Sequence, residues 1–189
     1  MIAGLYDIFK HWSERGTVWI YSDTHFGDFD LQDGVSSRPI DGIHLANINS
    51  KVGKKDTIIL LGDVGNVDMI RKMKGYKVLI AGNHDAGMSN YKEVFDEVYA
   101  GALIVGEKLI LSHEPVDVPW AFNIHGHVHS GEPMSDNQHF NVCGEARKCY
   151  EPVNLNQFMK AGFMAKIQTI HRDVIDKATK RARKRDKKK

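Results

Sequence analysis

The chain has 189 residues, a length at which one compact domain is expected. Hydrophobic residues make up 42% of it, enough to bury a core, and no apolar run reaches the roughly 18 residues of a membrane span, which excludes a membrane-spanning helix. The net charge of +2 hides an asymmetry, because residues 177–189 carry nine basic side chains and one acidic one, and their charge of +8 leaves residues 1–176 at −6.

The first half of the chain alternates between predicted helices and strands. Apolar residues at near-helical spacing predict a short amphipathic helix over residues 4–14, which Gly16 ends. Turn residues and acids predict a loop over residues 27–39. The other elements of this half are strands at residues 17–21, 57–61 and 77–81 and helices at residues 40–52 and 67–74.

The second half is predicted to be richer in β structure. Short strands are expected at residues 95–99, 103–105, 108–111, 120–124 and 139–142. Gly101 and the pair Gly106-Glu107 suit hairpins between the first three. A helix is expected over residues 155–160, after Pro152. The succession of strand, loop and helix, followed by hairpins, favours an α/β protein in which helices cover the sheet.

Five polar clusters follow strand-like runs in a fixed order. They are Asp23-Thr24-His25, Gly62-Asp63, Gly82-Asn83-His84-Asp85, His113, and Gly126-His127-Val128-His129. Carboxylate, imidazole and amide ligands suit Mn²⁺, Fe, Zn²⁺ or Ni²⁺ better than Ca²⁺. Two divalent ions held close together are suited to the attack on phosphate esters. The sequence therefore indicates a dinuclear metal centre.

The spacing within two clusters suggests how the ligands converge. Side chains at i and i+2 of a strand point to one face, so Asp23 and His25 are expected to bind one ion from an extended segment. His127 and His129 have the same spacing. Asp63 ends a strand, and a carboxylate there can bridge two metals and screen their repulsion.

With these clusters in this order, residues 17–155 resemble a calcineurin-like metallophosphoesterase of the small, single-domain bacterial and phage type. The resemblance implies an α/β fold in which a two-sheet β-sandwich is flanked by helices, in four α/β/β/α layers. It implies a metallophosphoesterase domain over residues 1–165, which starts with an N-terminal helix at residues 1–16. Residues 166–189 would form a C-terminal helix and a basic tail.

The resemblance also assigns roles to single residues. The metal ligands would be Asp23, His25 and His129 for the first metal, Asn83, His113 and His127 for the second, and Asp63 as the bridge. His84 is not a ligand in this pattern, and it is expected to act as a general acid or to stabilise charge on the phosphate or leaving oxygen. Asp85 is expected to fix the tautomer and orientation of His84. The reaction would be in-line attack by a metal-bound hydroxide. Mn²⁺ is the first expectation, with Fe, Zn²⁺, Ni²⁺ or Mg²⁺ as alternatives.

One position departs from the family pattern. Many relatives carry a histidine after Phe-Gly, where this chain has Asp28. An acid there would disfavour highly anionic substrates, or else bind a sugar hydroxyl or point to solvent. Phe26, Phe29 and Trp120 lie close in sequence to ligands, and each could stack on a nucleobase or pack in the core.

The N-terminal segment and the two cysteines indicate the cellular location of the protein. Residues 1–16 lack the apolar core and cleavage site of a signal peptide, so a cytoplasmic location is expected, with Cys143 and Cys149 as reduced thiols. His125 precedes Gly126 and is a candidate for support of the ligands. The other histidines outside the motifs are expected to be ordinary.

Three functions remain open. The first is a phosphodiesterase or phosphatase acting on small esters such as nucleotides, and the second is a metal-dependent nuclease acting on RNA or DNA ends. The basic segment 177–189 could make weak nucleic-acid contacts, which favours the nuclease slightly. A non-enzymatic scaffold is the third, and the complete ligand set argues against it. No membrane partner is expected, and the oligomeric state is left open.

Overall fold

Two β-sheets form the centre of this computed structural model, which describes residues 2, 4–35, 37–85 and 90–167. The strands in chain order are β1 (Val18–Tyr21), β2 (Thr57–Leu60), β3 (Tyr76–Ile80), β4 (Glu97–Tyr99), β5 (Leu103–Gly106), β6 (Leu109–Leu111), β7 (Phe122–His125), β8 (His139–Asn141) and β9 (Val153–Asn154). The first sheet has the order β4-β3-β2-β1-β9, and the second has the order β5-β6-β7-β8.

Short helices connect the strands. The α-helices are α1 (His11–Arg15), α2 (Phe29–Gly34), α3 (Asp41–Lys51), α4 (Val67–Arg71), α5 (Gly144–Arg147) and α6 (Leu155–Lys160), and 3₁₀ turns lie at Asp7–Phe9, Tyr91–Glu93 and Phe163–Lys166. Asp28, Asn66 and Asn154 cap α2, α4 and α6, because each side chain accepts a hydrogen bond from an N–H of the first turn.

The parallel strands β1, β2 and β3 are buried on both faces. Their sequences are therefore continuous apolar runs rather than alternating ones. Successive side chains still point to opposite faces. Ile59 belongs to the core between the sheets, whereas Ile58 packs in a cluster that includes Ile48 of α3 and Ile70 of α4. Helices α3 and α4 thus cover the outer face of the first sheet.

The main core lies between the two sheets. It combines Val78 of the first sheet with Leu111 and Phe122 of the second. Trp12 of α1 and Phe158 of α6 belong to the same core. Burying a side chain of the size of Phe contributes about 1.5–3 kcal/mol, so this core is a major source of stability.

The carboxyl ends of the parallel strands of both sheets lie at one end of the molecule. Strands β1 to β3 run parallel in the first sheet, and β6 to β8 run parallel in the second. A parallel bridge between Ser22 and Cys143 joins the segments that follow β1 and β8. The loops after these strands therefore meet, at the end of a parallel sheet where ligand sites commonly form.

The predicted fold class, α/β with two sheets flanked by helices, is confirmed. The strands predicted at residues 17–21, 57–61 and 77–81 and the helices predicted at residues 40–52 and 155–160 are present, with small differences at their ends. The predicted helix over residues 67–74 is shorter, and α5 and β9 were not predicted. These two elements have four and two residues, too few to show a periodic pattern.

Three predictions of local structure were wrong. Residues 27–39 are not a loop throughout, because Asp28 caps α2 by accepting a hydrogen bond from the Leu31 N–H at 3.0 Å. Gly101 does not join a hairpin, because β4 pairs with β3 in the first sheet while β5 pairs with β6 in the second. The N-terminal helix is interrupted, because Leu5 forms an antiparallel bridge with Gly106 and helical turns begin only at Asp7.

The predicted C-terminal helix and basic tail lie outside the described residues, apart from Lys166 and Ile167. The division of the chain at residue 165 therefore stays a prediction. Within the described ranges, no helix has both the length and the apolar character that crossing a membrane requires.

Candidate metal centre

The predicted metal ligands all lie in loops at the carboxyl ends of strands. They follow β1 (Asp23, His25), β2 (Asp63), β3 (Asn83), β6 (His113) and β7 (His127, His129). The structure places them in two adjacent clusters, which the resemblance to the family had grouped in the same way.

The first cluster consists of Asp23, His25 and His129. One ligand atom from each lies within 4.8 Å of the others. His129 Nε2 is 3.6 Å from Asp23 Oδ1. Asp23 and His25 are buried and His129 is half-buried. Two imidazoles and a carboxylate at this spacing form a donor set for a divalent transition metal.

The second cluster contains Asp63, His113 and His127, whose ligand atoms also lie within 4.8 Å of one another. Asn83 Oδ1 is 2.8 Å from His113 Nε2 and 3.1 Å from His127 Nδ1, so the amide belongs to the same group. His113 Nδ1 donates to the Leu61 carbonyl at 2.9 Å. That hydrogen bond leaves Nε2 as the nitrogen that faces the cluster.

Asp63 lies between the two clusters. Its Oδ2 is 3.6 Å from His25 Nε2 of the first cluster and 3.4 Å from His113 Nε2 of the second. Its Oδ1 accepts a hydrogen bond from the His84 N–H at 2.9 Å. The residue is 2% exposed. One buried carboxylate therefore faces both groups of imidazoles.

Four of the predicted ligands have a left-handed backbone conformation. The φ angle is 55° at Asp23, 39° at His25, 51° at Asp63 and 66° at His127. Such conformations cost about 1–3 kcal/mol each in non-glycine residues and are concentrated at functional sites. The expectation of an extended segment at Asp23 and His25 is therefore wrong, since a tight turn brings both side chains to one cluster.

Two glycines allow the ligand loops to approach closely. A Cβ atom on Gly126 would lie 2.5 Å from Asp23 Oδ2, and one on Gly82 would lie 2.3 Å from Asp63 Oδ1. Real Cβ atoms do not come so close to an oxygen. These positions therefore exclude larger residues while the carboxylates stay where they are.

Burial and hydrogen bonding shift the pKa values of the clustered groups in different directions. Burial lowers the pKa of His25 to about 4 and raises the pKa of Asp23. Burial also opposes the protonation of His113, but the adjacent Asp63 carboxylate outweighs it and raises the pKa of His113 to about 9. Burial would raise the pKa of Asp63, yet hydrogen bonds from His113 and from the His84 N–H hold it below its ordinary value.

The residues present fit divalent metal ions. His25 Nε2 is buried and makes no hydrogen bond within the described part of the chain, although it faces Asp63 Oδ2. A buried nitrogen without a partner is costly, and a bound cation would satisfy it. The His and Asp clusters therefore have the composition and spacing of a divalent metal site.

His84 and Asp85 differ from each other in their surroundings. His84 is exposed, and its ring centroid lies 5.5 Å from that of His25. Asp85 is buried, and its carboxylate accepts hydrogen bonds from three backbone N–H groups, those of Asp63 at 2.8 Å, Val64 at 3.0 Å and Gly82 at 2.8 Å. The Asp85 oxygens therefore hold two ligand loops together, and a role of Asp85 in orienting the His84 ring stays a prediction.

Two further residues of the site, Arg38 and Glu145, were not predicted from the sequence. The buried Arg38 guanidinium forms an ion pair with Glu145 and donates to the carbonyl oxygens of Asp23, at 3.0 Å, and of Thr24. Glu145 Oε2 lies 3.6 Å from His129 Nδ1. Neither residue belongs to a motif, and no sequence signal distinguishes them from surface charges.

A cleft of about 470 Å³ opens beside the clusters. His25, Asp63 and His84 line it on the side of the site, and Asp28, Phe29 and Asp30 line it on the side of α2. Phe29 is 72% exposed there. A further cleft, of about 540 Å³, lies near α6 and contains none of the clustered residues.

The other candidate residues occupy different places. Phe26 lines the cleft of about 470 Å³, but it is only 2% exposed and packs in the core. Trp120 does not line this cleft. His125 is buried, and its Nδ1 lies 2.9 Å from the Gly126 carbonyl oxygen. It therefore contacts the backbone that leads to His127 and His129, as a supporting residue would.

Comparisons with known proteins bear on the fold. No protein-family model and no curated protein matches this chain. A protein of unknown function, AQ665 from Aquifex aeolicus, has a similar structure, with a TM-score of 0.64 and 24% identity over 77% of this chain and 98% of that chain. Nuclease MPE from Pseudomonas putida gives a TM-score of 0.45 and 24% identity over 59% and 61% of the two chains. YfcE, a phosphoesterase from E. coli, gives 0.37 and 14% identity over 74% and 82%. The first similarity supports the fold, and the function must be argued from the site.

Proposed function

We propose that this protein is a metal-dependent hydrolase of phosphate esters that holds two divalent ions, with Mn²⁺ as the first candidate. The ligands would be Asp23, His25 and His129 for one ion and Asn83, His113 and His127 for the other, with Asp63 shared. This assignment follows the two observed clusters and the resemblance of the sequence to calcineurin-like metallophosphoesterases.

The position of Asp63 carries the proposal. Its Oδ2 is 3.6 Å from His25 Nε2 and 3.4 Å from His113 Nε2, so one oxygen faces the nitrogen donors of both clusters. Ions on the two sides of a shared carboxylate are the arrangement that two-metal catalysts use to stabilise the attacking and leaving oxygens of a phosphoryl group. A single metal would not need both clusters.

The side chains of the protein would position the metal ions and transfer a proton. Bound divalent ions would act as Lewis acids and lower the pKa of water towards roughly 7–9. The buried carboxylates of Asp23 and Asp63 fix where the ions bind. His84 is exposed in the cleft beside His25, where it could donate a proton to the leaving oxygen or a hydrogen bond to the phosphate.

The cleft favours small substrates with one phosphate group, such as phosphodiesters or nucleotides. Phe29 offers an exposed aromatic face on which a base or aryl group could stack. Asp28 and Asp30 line the same cleft, and their negative charge opposes the approach of polyanions. Of the small esters, singly charged phosphodiesters suit this cleft better than doubly charged monoesters.

A nuclease acting on RNA or DNA ends is the second candidate. The observation in its favour is the basic sequence of residues 177–189, which could attract a phosphate backbone but lies outside the described residues. The acidic cleft opposes it, so we rank it second. A non-enzymatic scaffold would have no use for the strained conformations at Asp23, His25, Asp63 and His127.

A metal add-back assay tests the proposal. The protein is stripped of metal, Mn²⁺ is returned, and turnover is measured side by side on bis-p-nitrophenyl phosphate and p-nitrophenyl phosphate. We expect Mn²⁺-dependent cleavage, faster on the diester. Faster cleavage of the monoester would point to a phosphatase, and failure to cleave either ester by protein with two bound metals would contradict the proposed activity.

Two variants separate the roles of the residues. Asp63→Asn should abolish Mn²⁺-dependent turnover and weaken metal binding, whereas His84→Ala should reduce turnover and leave the metals bound. His11→Ala is a matched control, because His11 is a half-buried histidine that hydrogen bonds to Glu97 outside the site. Equal metal loss in Asp63→Asn and His84→Ala, measured by elemental analysis, would contradict the role assigned to His84.

A further inference from the structure

A buried group of polar side chains lies against the first cluster, and the proposed chemistry does not use it. It consists of Arg38, Cys143 and Glu145, in which Arg38 and Cys143 contact Glu145 and Glu145 faces Nδ1 of the His129 ring. The Arg38 and Glu145 side chains are 1% and 5% exposed. A buried ion pair costs much of its Coulombic gain in desolvation, so stability alone does not account for its presence.

This group is not a third metal site. Ligand atoms of His129, Cys143 and Glu145 do lie within 4.8 Å of one another. The Arg38 guanidinium, however, already pairs with Glu145 and would repel a second cation there. The Cys143 thiol lies 2.9 Å from Glu145 Oε2, and burial raises the pKa of Cys143 far above its usual range, so the thiol stays protonated and donates to the carboxylate.

The contact between His129 and Glu145 bears on metal binding. A histidine that binds a metal through Nε2 carries its proton on Nδ1, and that proton needs an acceptor. His129 Nε2 faces Asp23 Oδ1 at 3.6 Å, and Nδ1 faces Glu145 Oε2 at 3.6 Å. The buried Nδ1 has no hydrogen-bond partner within the described part of the chain. The separation of 3.6 Å is about 0.4 Å longer than the upper end of the usual range for an N–H···O hydrogen bond, and Glu145 is the carboxylate that Nδ1 faces.

We propose that Glu145 is a positioning residue, whose carboxylate accepts the Nδ1 proton of His129 and so directs Nε2 towards Asp23 and the first metal. This inference rests on the proposed function, because it requires a metal in the first cluster. Carboxylates that orient metal-binding histidines in this way also make the imidazole a stronger ligand.

Arg38 connects this acceptor to the other half of the first cluster. Its guanidinium pairs with Glu145 and donates to the carbonyl oxygens of Asp23 and Thr24, in the loop where Asp23 has a φ of 55°. The planar Arg38 side chain thus fixes the position of the strained loop at Asp23 relative to Glu145, the proposed acceptor for His129. A lysine at this position could not reach all three acceptors in the same geometry.

Mn²⁺ titration of the full-length protein tests the proposal. By calorimetry we expect two bound ions in the wild type. In Glu145→Gln we expect one binding step weakened about 10–100-fold and the other unchanged, because the second cluster does not contact Glu145. Arg38→Lys should weaken the same step. Glu97→Gln is the matched control, since Glu97 also faces a histidine ring but lies at the amino end of β4, away from the site.

The outcomes separate this inference from the proposed function. Two unchanged binding steps in Glu145→Gln, or equal weakening of both, would overturn the positioning role and leave the metal centre intact. A wild-type protein that binds no metal would overturn both.

A second measurement determines the tautomer of His129 in the wild-type protein itself. The wild-type protein is loaded with diamagnetic Zn²⁺ and labelled with ¹⁵N-histidine, and the His129 signals are assigned through the His129→Gln variant. The proposal predicts that Nδ1 carries the proton and that Nε2 binds the metal. A proton on Nε2 would overturn it.

Discussion

Replacement of Asp85 by alanine tests whether this residue acts on the chemistry or on the architecture of the site. The Asp85 carboxylate is 2% exposed and accepts hydrogen bonds from the N–H groups of Asp63, Val64 and Gly82 at 2.8–3.0 Å. The loops after β2 and β3 therefore meet at one side chain. Alanine would leave these three donors without a partner in a buried place.

The expected loss of stability can be estimated from these contacts. A hydrogen bond to a charged group contributes about 1.5–3 kcal/mol, but bonds that share one acceptor do not add, so we expect a loss of about 3–5 kcal/mol. That is a large part of a typical unfolding free energy of about 5–15 kcal/mol. For a chain of this size it corresponds to a melting temperature lower by about 6–20 °C.

Thermal melting and Mn²⁺ binding, measured on the same samples, distinguish a structural role of Asp85 from a catalytic one. Asp85→Ala should melt early and bind metal weakly, and Asp85→Asn should lie between it and the wild type, because one amide oxygen can still accept. Asp68→Ala is the control, since Asp68 is exposed and should change stability by less than about 0.5 kcal/mol. If Asp85→Ala melts at the wild-type temperature and loses only turnover, the role of Asp85 in holding the loops together is refuted. A role in orienting His84 is then supported.

Three further predictions follow from single contacts. Gly126→Ala would place a Cβ 2.5 Å from Asp23 Oδ2, so it should cost about 1–3 kcal/mol and reduce bound metal, which melting and elemental analysis would show; unchanged metal content would contradict the close approach. Burial beside Tyr21 lowers the pKa of His44 from 6.5 to about 3. Below pH 6.5, His44 therefore becomes protonated in the unfolded chain but not in the folded chain, which lowers the free energy of unfolding. Denaturant titrations should therefore show about 2–3 kcal/mol more loss between pH 6.5 and 4.5 in the wild type than in His44→Gln, and equal losses would refute this account. Phe29→Ala should raise KM for aryl and nucleoside esters but not for a small alkyl phosphate; equal changes would refute stacking.

Much of the fold could be predicted because the buried strands are apolar runs of strand length. The segments around Ile20, Ile59 and Val78 stand out in the sequence for this reason. Strand partners were harder to predict, since β4 and β5 are neighbours in the chain and belong to different sheets. The choice of partner depends on packing across the core, which a local pattern does not contain.

The candidate site, like the fold, could be predicted only in part. The resemblance to the family grouped the ligands as the two clusters do, whereas the i, i+2 spacing of His127 and His129 had suggested a shared ion. Left-handed turns at Asp23 and His127 redirect the side chains. Asp and His adopt this conformation more often than most residues, but residue type alone does not show at which positions it occurs. Arg38 and Glu145 were missed because only the fold makes them neighbours, at 107 positions apart.

Counting the metal ions bound per chain shows whether the protein holds a dinuclear metal centre. Metal-free protein is titrated with Mn²⁺, and bound metal is measured beside that of Asp63→Asn. We expect two ions per wild-type chain and a loss of affinity at both sites in the variant, because Asp63 Oδ2 faces His25 of one cluster and His113 of the other. One ion in the wild type, or a variant that still binds two ions with wild-type affinity, would contradict it.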